Sequence, residues 1–342
     1  MPKTNGRGAD SDPAGVGSMF SVHFQPAPWL RNPHLQTIYP KLFRPRPRLS
    51  LCPERVELPD GDFIDLSWTT GQGPRVLLLP GLGGDLRSHY ALPLMASLLA
   101  AGFHPVFMYP RGTSGTPNRL PCTHHAGACD DLAGVLEYLH VQGRPIDAAI
   151  GVSLGGNVLL RYLGLAGRSA RLRAAVAVSV PFMLDRASRY LERSAARIYK
   201  AYLLRRLRHA YRAKSAKGTG PVPPPVELDR IRTLWDYDQQ ITAPLNGFAD
   251  ADDYYRRSSC FPVLGGITTP TLILHSIDDP FLPPDALPRP DQVGPGVHLA
   301  LLSFGGHLGF VERLVHGKKG WLLDRAATTF LQSQLPETAS SP

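Results

Sequence analysis

Four short apolar runs restrict the possible folds of this chain more than any other feature. Residues 76–79, 105–109, 148–152 and 174–180 are nearly continuous in Val, Leu, Ile, Ala, Phe and Met, and stretches of helical period at 88–101, 126–141 and 154–165 lie between them. A strand that is apolar on both faces belongs to a sheet covered on both sides, and strands alternating with helices make that sheet mostly parallel. The strand pattern resumes at 271–275 and 297–303 and closes with a helix at about 321–334. Ahead of it, residues 54–58 and 63–68 flank Pro59-Asp60-Gly61-Asp62, a turn signal that predicts an antiparallel hairpin at the start of the sheet.

From about residue 181 to 262 the alternation stops. A basic segment bearing Tyr and Leu, with Arg189, Arg193, Arg197, Lys200, Arg205, Arg206, Arg208, Arg212 and Lys214, runs into the break Gly220-Pro221-Val222-Pro223-Pro224-Pro225. An insertion there falls between core strands, where it can cover the strand ends at which such sheets bind ligands; it is expected to be a helical lid. Residues 1–18 and 337–342 are polar and read as mobile tails, leaving one domain over 19–336. No apolar run reaches the ~18 residues that span a bilayer and no signal-like segment opens the chain, so a cytoplasmic protein is expected, with the inner membrane face as a peripheral site. Cys52, Cys122, Cys129 and Cys260 are scattered without zinc-ligand spacing, which predicts neither a disulfide framework nor a metal. The net charge of +9 is concentrated in the basic segment, which reads first as a solvated helix face and second as a contact for an anionic membrane, with no specific nucleic-acid partner.

The chemistry starts at Gly151-Val152-Ser153-Leu154-Gly155, a G-x-S-x-G pattern between a predicted strand and a predicted helix. That context suits a nucleophilic serine on a tight strand-to-helix turn, although a serine before a helix can also serve only as its cap. The hydroxyl needs a base, and His307 sits in Gly305-Gly306-His307-Leu308-Gly309 directly after a late strand. The third member is a carboxylate lying between them in sequence, and Asp278 and Asp279 both follow the strand at 271–275. Backbone amides of Leu154 and of Leu82, in the glycine loop 81–84 after the first core strand, are the candidate donors to a developing oxyanion. A dinucleotide reading of that loop fails because Leu86 occupies the last glycine position of G-x-G-x-x-G; no cofactor is expected.

Taken together, these residues resemble the YheT-like hydrolases, a branch of the α/β-hydrolase superfamily related to the eukaryotic ABHD lipid hydrolases. The likeness covers most of the chain, from Trp29-Leu30-Arg31-Asn32-Pro33-His34-Leu35-Gln36-Thr37 through Arg111-Gly112-Thr113-Ser114-Gly115 and Ser153-Leu154-Gly155-Gly156-Asn157 to Asp278-Asp279-Pro280-Phe281 and Gly305-Gly306-His307-Leu308-Gly309-Phe310. The resemblance implies an α/β-hydrolase fold with a Ser153–Asp–His307 triad acting on carboxylic esters. Asp279, four residues before Pro283, fits the D-x-x-x-P arrangement of many relatives and is the preferred acid, with Asp278 the alternate. Where many relatives read His-Gly in the oxyanion loop, this chain has Pro80-Gly81. His125 and Asp130 have the H-x-x-x-x-D spacing discussed for acyltransfer in ABHD proteins, and His34 is read as structural, in a loop before the hairpin.

The expected activity is hydrolysis of medium-chain or lipid-like esters through an acyl-serine. The rivals are an acyltransferase using the same intermediate and a non-catalytic protein that binds membranes through its basic lid.

Overall fold

The computed structural model describes residues 20–193, 196–216, 227–315 and 318–335. The expected tails at 1–18 and 337–342 and the proline-rich break at 220–225 lie outside them.

Strands β1 (Leu51–Glu57) and β2 (Phe63–Thr69) form the predicted hairpin, and β2 pairs antiparallel with β4 (His104–Met108). From there β3 (Arg75–Leu79), β5 (Ala148–Val152), β6 (Ala174–Val178), β7 (Thr271–Ser276) and β8 (Val297–Leu302) continue in parallel, giving the order β1-β2-β4-β3-β5-β6-β7-β8. A short hairpin, β9 (Val311–Val315) with β10 (Lys318–Trp321), stands apart and was not anticipated from the sequence.

The period-2 alternation of a strand explains why both faces are apolar. In β3, Leu77 and Leu79 face one core layer with Leu132, Leu136, Leu159 and Leu163 of α3 (Cys129–Val141) and α4 (Leu154–Ala166). Val76 and Leu78 face the other, with Leu94 and Leu98 of α2 (Ala91–Ala100) and Leu323 and Phe330 of α10 (Leu322–Gln334). Fully burying each such side chain contributes roughly 1.5–3 kcal/mol.

Two features position the site. The chain goes from β3 outward to β4 and then back across to β5 on the other side of β3. The order therefore reverses between β3 and β5, and the crevice beyond their carboxyl ends is where ligands of open α/β sheets bind. Second, the stretch around His34, a residue expected in a loop before the hairpin, forms helix α1 (Pro33–Phe43). Asn32 caps it, accepting from the amides of His34 and Leu35, and Pro33 fits its first turn because the missing N–H has no helical partner there.

Between β6 and β7 the described residues form α5 (Leu184–Tyr190), the 19-residue α6 (Arg197–Ser215), a short α7 (Leu234–Tyr237) that passes through a π turn at Asp238–Thr242 into α8 (Ala243–Leu245), and α9 (Ala251–Ser258). Asn157, on α4, fixes where this segment returns. Its side-chain amide donates to the carbonyls of Ala126 (2.9 Å) and Ser258 (2.8 Å), and its carbonyl accepts from Cys260 N (2.9 Å).

Candidate active site

Ser153 stands between β5 and α4 with φ 53° and ψ −118°, a left-handed backbone that a side chain tolerates at a cost of about 1–3 kcal/mol. The turn is held by Ser153 N donating to Val178 O (2.8 Å) and Asn157 N donating to Ser153 O (3.1 Å). Its tightness dictates its neighbours. A Cβ on Gly151 would come within 2.5 Å of Gly155 O, and one on Gly155 within 2.4 Å of Pro80 O, so neither position admits a side chain.

The loop after β3 passes directly beside this serine, since a Cβ on Gly81 would lie 3.6 Å from Ser153 Oγ. Gly81 N donates to Tyr90 Oη (2.9 Å), a hydroxyl whose pKa burial raises to about 12. That amide is thereby occupied. The amides of Leu82 and Leu154 have no acceptor among the described residues, and both residues line the same cavity as Ser153.

His307 and the two candidate acids meet across the ends of β7 and β8. His307 Nδ1 lies 2.9 Å from Asp279 Oδ2, and both side chains are buried. Asp279 Oδ1 accepts from Phe281 N (2.8 Å), and the Phe281 ring stacks on the imidazole at a centroid distance of 3.9 Å. Asp278 points elsewhere: its Oδ1 accepts from Gly306 N (2.9 Å), pinning the histidine loop by its backbone. Burial raises the pKa of Asp278. His275 Nε2 stands 3.6 Å from Asp279 Oδ2, and burial holds this second imidazole neutral by lowering its pKa to about 4.

Helix α1 holds the histidine loop in place, a role that the sequence pattern did not reveal. Thr37 Oγ1 accepts from His307 N (2.9 Å), while Gln36 bonds Val311 in both directions, accepting from its amide (2.9 Å) and donating to its carbonyl (3.3 Å). Pro40 lacks the N–H that would reach Gln36 O, and Gly309 packs against that carbonyl so closely that a Cβ would stand 2.5 Å away. Leu308 and Phe310 take positive φ values of 61° and 47° inside this clamp. His34, read from sequence as a loop residue, begins α1 and places Nδ1 2.9 Å from Tyr199 Oη of α6; Tyr199 in turn packs on Phe281, 4.9 Å between centroids.

Ser153, His307, Asp279, Leu82 and Leu154 line one cavity of about 450 Å³, whose walls also include Val180, Leu184, Leu191, Leu203 and Leu207. A cavity of this size and apolar lining suits a small ligand with a few convergent polar groups. Asp238 lines it too, held by Tyr255 Oη (2.7 Å) and Thr242 Oγ1 (2.6 Å), with burial raising its carboxyl to about 6. Of the H-x-x-x-x-D pair, His125 lines the cavity, whereas Asp130 is exposed in the first turn of α3 and does not. Among the described residues no group of three or more His, Cys, Asp or Glu is arranged to hold a metal ion.

Comparison with known proteins gives the family. A family model for the alpha/beta hydrolase fold matches residues 74–314. The chain is 38% identical over 324 residues to a putative esterase, YheT, of Escherichia coli K12, covering 92% of this chain and 95% of that one. It is 29% identical over 328 residues to phospholipase ABHD3 of Homo sapiens, covering 91% and 79% respectively. Among solved structures, an esterase of Pyrococcus furiosus superposes with a TM-score of 0.53 at 16% identity over 86% of this chain and 100% of that one, a likeness of fold.

Proposed function

Because this chain belongs to the YheT branch of the α/β hydrolase fold family and is a hydrolase of esterase and lipase type, we propose that it cleaves carboxylic esters with Ser153 as nucleophile, His307 as base and Asp279 as the acid that orients it. Ser153 Oγ attacks the carbonyl carbon as its proton passes to His307 Nε2, the ring nitrogen that Asp279 does not engage. The carbonyl oxygen takes the negative charge, and the amides of Leu82 and Leu154 donate to it. His307 then protonates the leaving alcohol, leaving an acyl-serine, and water activated by the same imidazole releases the acid.

The observation that carries this reading is the 2.9 Å contact of His307 with Asp279 in the cavity onto which the strained serine opens. We read the helices of 181–262 as a lid whose leucines receive an acyl chain, and medium-chain or lipid-like esters as the substrates. The names of the relatives, esterase and phospholipase, support that class. Acyl transfer is the weaker reading, because Asp130 stands outside the cavity.

Peripheral contact with an anionic membrane is supported by an unusual surface. Helix α1 buries Gln36 and Thr37 but leaves Leu35 (50%), Leu42 (68%) and Phe43 (60%) exposed, and Ile198 of the basic α6 is exposed as well. No helix among the described residues is long and apolar enough to cross a membrane.

The test is hydrolysis of p-nitrophenyl esters from butanoyl to hexadecanoyl, free and in vesicles with anionic lipid. The expected profile peaks at medium chain length and gains rate on anionic vesicles, a gain that salt removes. Folded protein that turns over none of these esters would sink the proposal.

The α1 clamp supplies a second expectation. Thr37→Val keeps the side-chain shape but leaves the buried His307 amide without its acceptor, so the imidazole is held less accurately. A misplacement of this kind lowers kcat by about 10- to 100-fold, with a smaller change in KM. Steady-state kinetics on the folded variant checks it; an unaltered kcat would rule the clamp out as a positioning device.

A further inference from the structure

The charges lining the cavity are not balanced. Arg87 is paired with Asp85, Arg111 with Asp60, Asp62 and Asp131, and Lys214 is held by Asn118 Oδ1 and the carbonyls of Leu120 and Cys122. Lys41 of α1, Arg46 just beyond it and Arg206 of α6 also line the cavity, and none has a carboxylate partner among the described residues; Arg46 is exposed to solvent, whereas Lys41 and Arg206 are only partly so. Both cations flank one ring: Lys41 Nζ lies 4.6 Å and Arg206 Cζ 5.8 Å from the centroid of Tyr202. Arg206 also donates to Tyr202 Oη (3.0 Å) and to Gly83 O, so the pair adjoins the loop that carries Leu82. Residues 20–53, from which Lys41 comes, contain no Asp or Glu.

A half-buried ammonium without a counter-charge is unfavourable, and burial lowers the pKa of Lys41, followed by the opposing influence of Tyr202 and the repulsion of Arg206. The carboxylates of the cavity are committed elsewhere, Asp279 to His307 and Asp238 to Tyr255 and Thr242. Tyr202 and the Gly83 carbonyl give these two cations ring and dipole contacts but no opposite charge, which a ligand anion would supply.

We propose that Lys41 and Arg206 form an anion subsite beside the oxyanion loop, and that the ester hydrolysed here carries a phosphate or carboxylate group seated on them. This rests on the assignment of Ser153 for catalysis but not for binding. Charge-assisted hydrogen bonds of this type are worth about tenfold or more in affinity.

The experiment measures binding of octyl phosphate, octanoate and octanol to the Ser153→Ala protein by calorimetry. Octyl phosphate is expected to bind about tenfold tighter than octanol, with the advantage shrinking at high salt, disappearing when Lys41→Met is added and returning in part with Lys41→Arg. Octanoate binding as well as the phosphate would identify a general anion subsite; octanoate binding like octanol would identify a phosphoester one. An advantage absent from the start, or untouched by both Lys41→Met and Arg206→Met, overturns the proposal. A parallel assay compares kcat/KM for 1-octanoylglycerol 3-phosphate and 1-octanoylglycerol, and that ratio should fall about tenfold in Lys41→Met. Wild type that neither hydrolyses esters nor reacts with a fluorophosphonate would remove the catalytic reading while leaving the binding result to decide the subsite.

Discussion

Ser153→Ala is expected to lower kcat for ester hydrolysis by about 10⁴- to 10⁶-fold and to abolish labelling by a fluorophosphonate. Without the hydroxyl no acyl-serine forms, and what remains comes from the cavity and the amides of Leu82 and Leu154. Stability provides an independent readout from the same position. Alanine keeps a Cβ at φ 53°, so it retains the strain, whereas Ser153→Gly relieves it and should raise the unfolding free energy by about 1 kcal/mol while being equally inactive. A gain in the glycine variant alone, read by denaturant titration, would identify backbone strain kept for the sake of the turn. Ester hydrolysis surviving in folded Ser153→Ala would exclude the serine as nucleophile.

Much of this site could be read from the sequence because a parallel sheet is locally encoded. Each core strand is an unbroken apolar run, and the ends of such runs are where a serine, an acid and a histidine acquire meaning. Ser153, Asp279 and His307 follow β5, β7 and β8 in that way. The residues alone did not decide which of two adjacent carboxylates faces the imidazole, since neighbours in a loop differ only in direction; the preference for Asp279 came from the family resemblance. Nor did the sequence show α1 as a helix. Its periodicity is inverted: Gln36 and Thr37 face inward because the histidine loop needs their hydrogen bonds, and Leu35, Leu42 and Phe43 face outward. Pro40 within the helix obscured it further. The local signal that remained was Asn32-Pro33, a cap followed by a first-turn proline.

The insertion between β6 and β7 was legible as an interruption but not as a structure. Its role in the site arises from contacts distant in sequence: Tyr199 reaches both His34 and Phe281, and Arg206 reaches Gly83. Composition identified a basic segment, yet of its two cations that line the cavity Lys214 is spent on carbonyls while Arg206 has no carboxylate partner among the described residues. Charge counted along a sequence therefore did not distinguish a solvated face from a binding wall.

Asp279→Asn should reduce kcat by about 10⁴-fold, while Asp278→Asn should stay within about threefold of wild type. Both substitutions remove one negative charge within the same loop, so general electrostatics would predict similar effects. The hydrogen bonds predict otherwise. Asp279 Oδ2 receives His307 Nδ1, and an amide nitrogen there donates to Nδ1 instead, moving the imidazole proton to Nε2, where it can no longer accept from the serine. Asp278 accepts from Gly306 N through Oδ1, a bond that asparagine can still make. His275 does not substitute for the lost acid, because it is buried and neutral and can stabilise no imidazolium. Pre-steady-state release of p-nitrophenol locates the defect, since a wrong tautomer must slow the acylation burst itself. Equal losses in the two variants would mean that the loop contributes charge rather than orientation, and the assignment of Asp279 would fall.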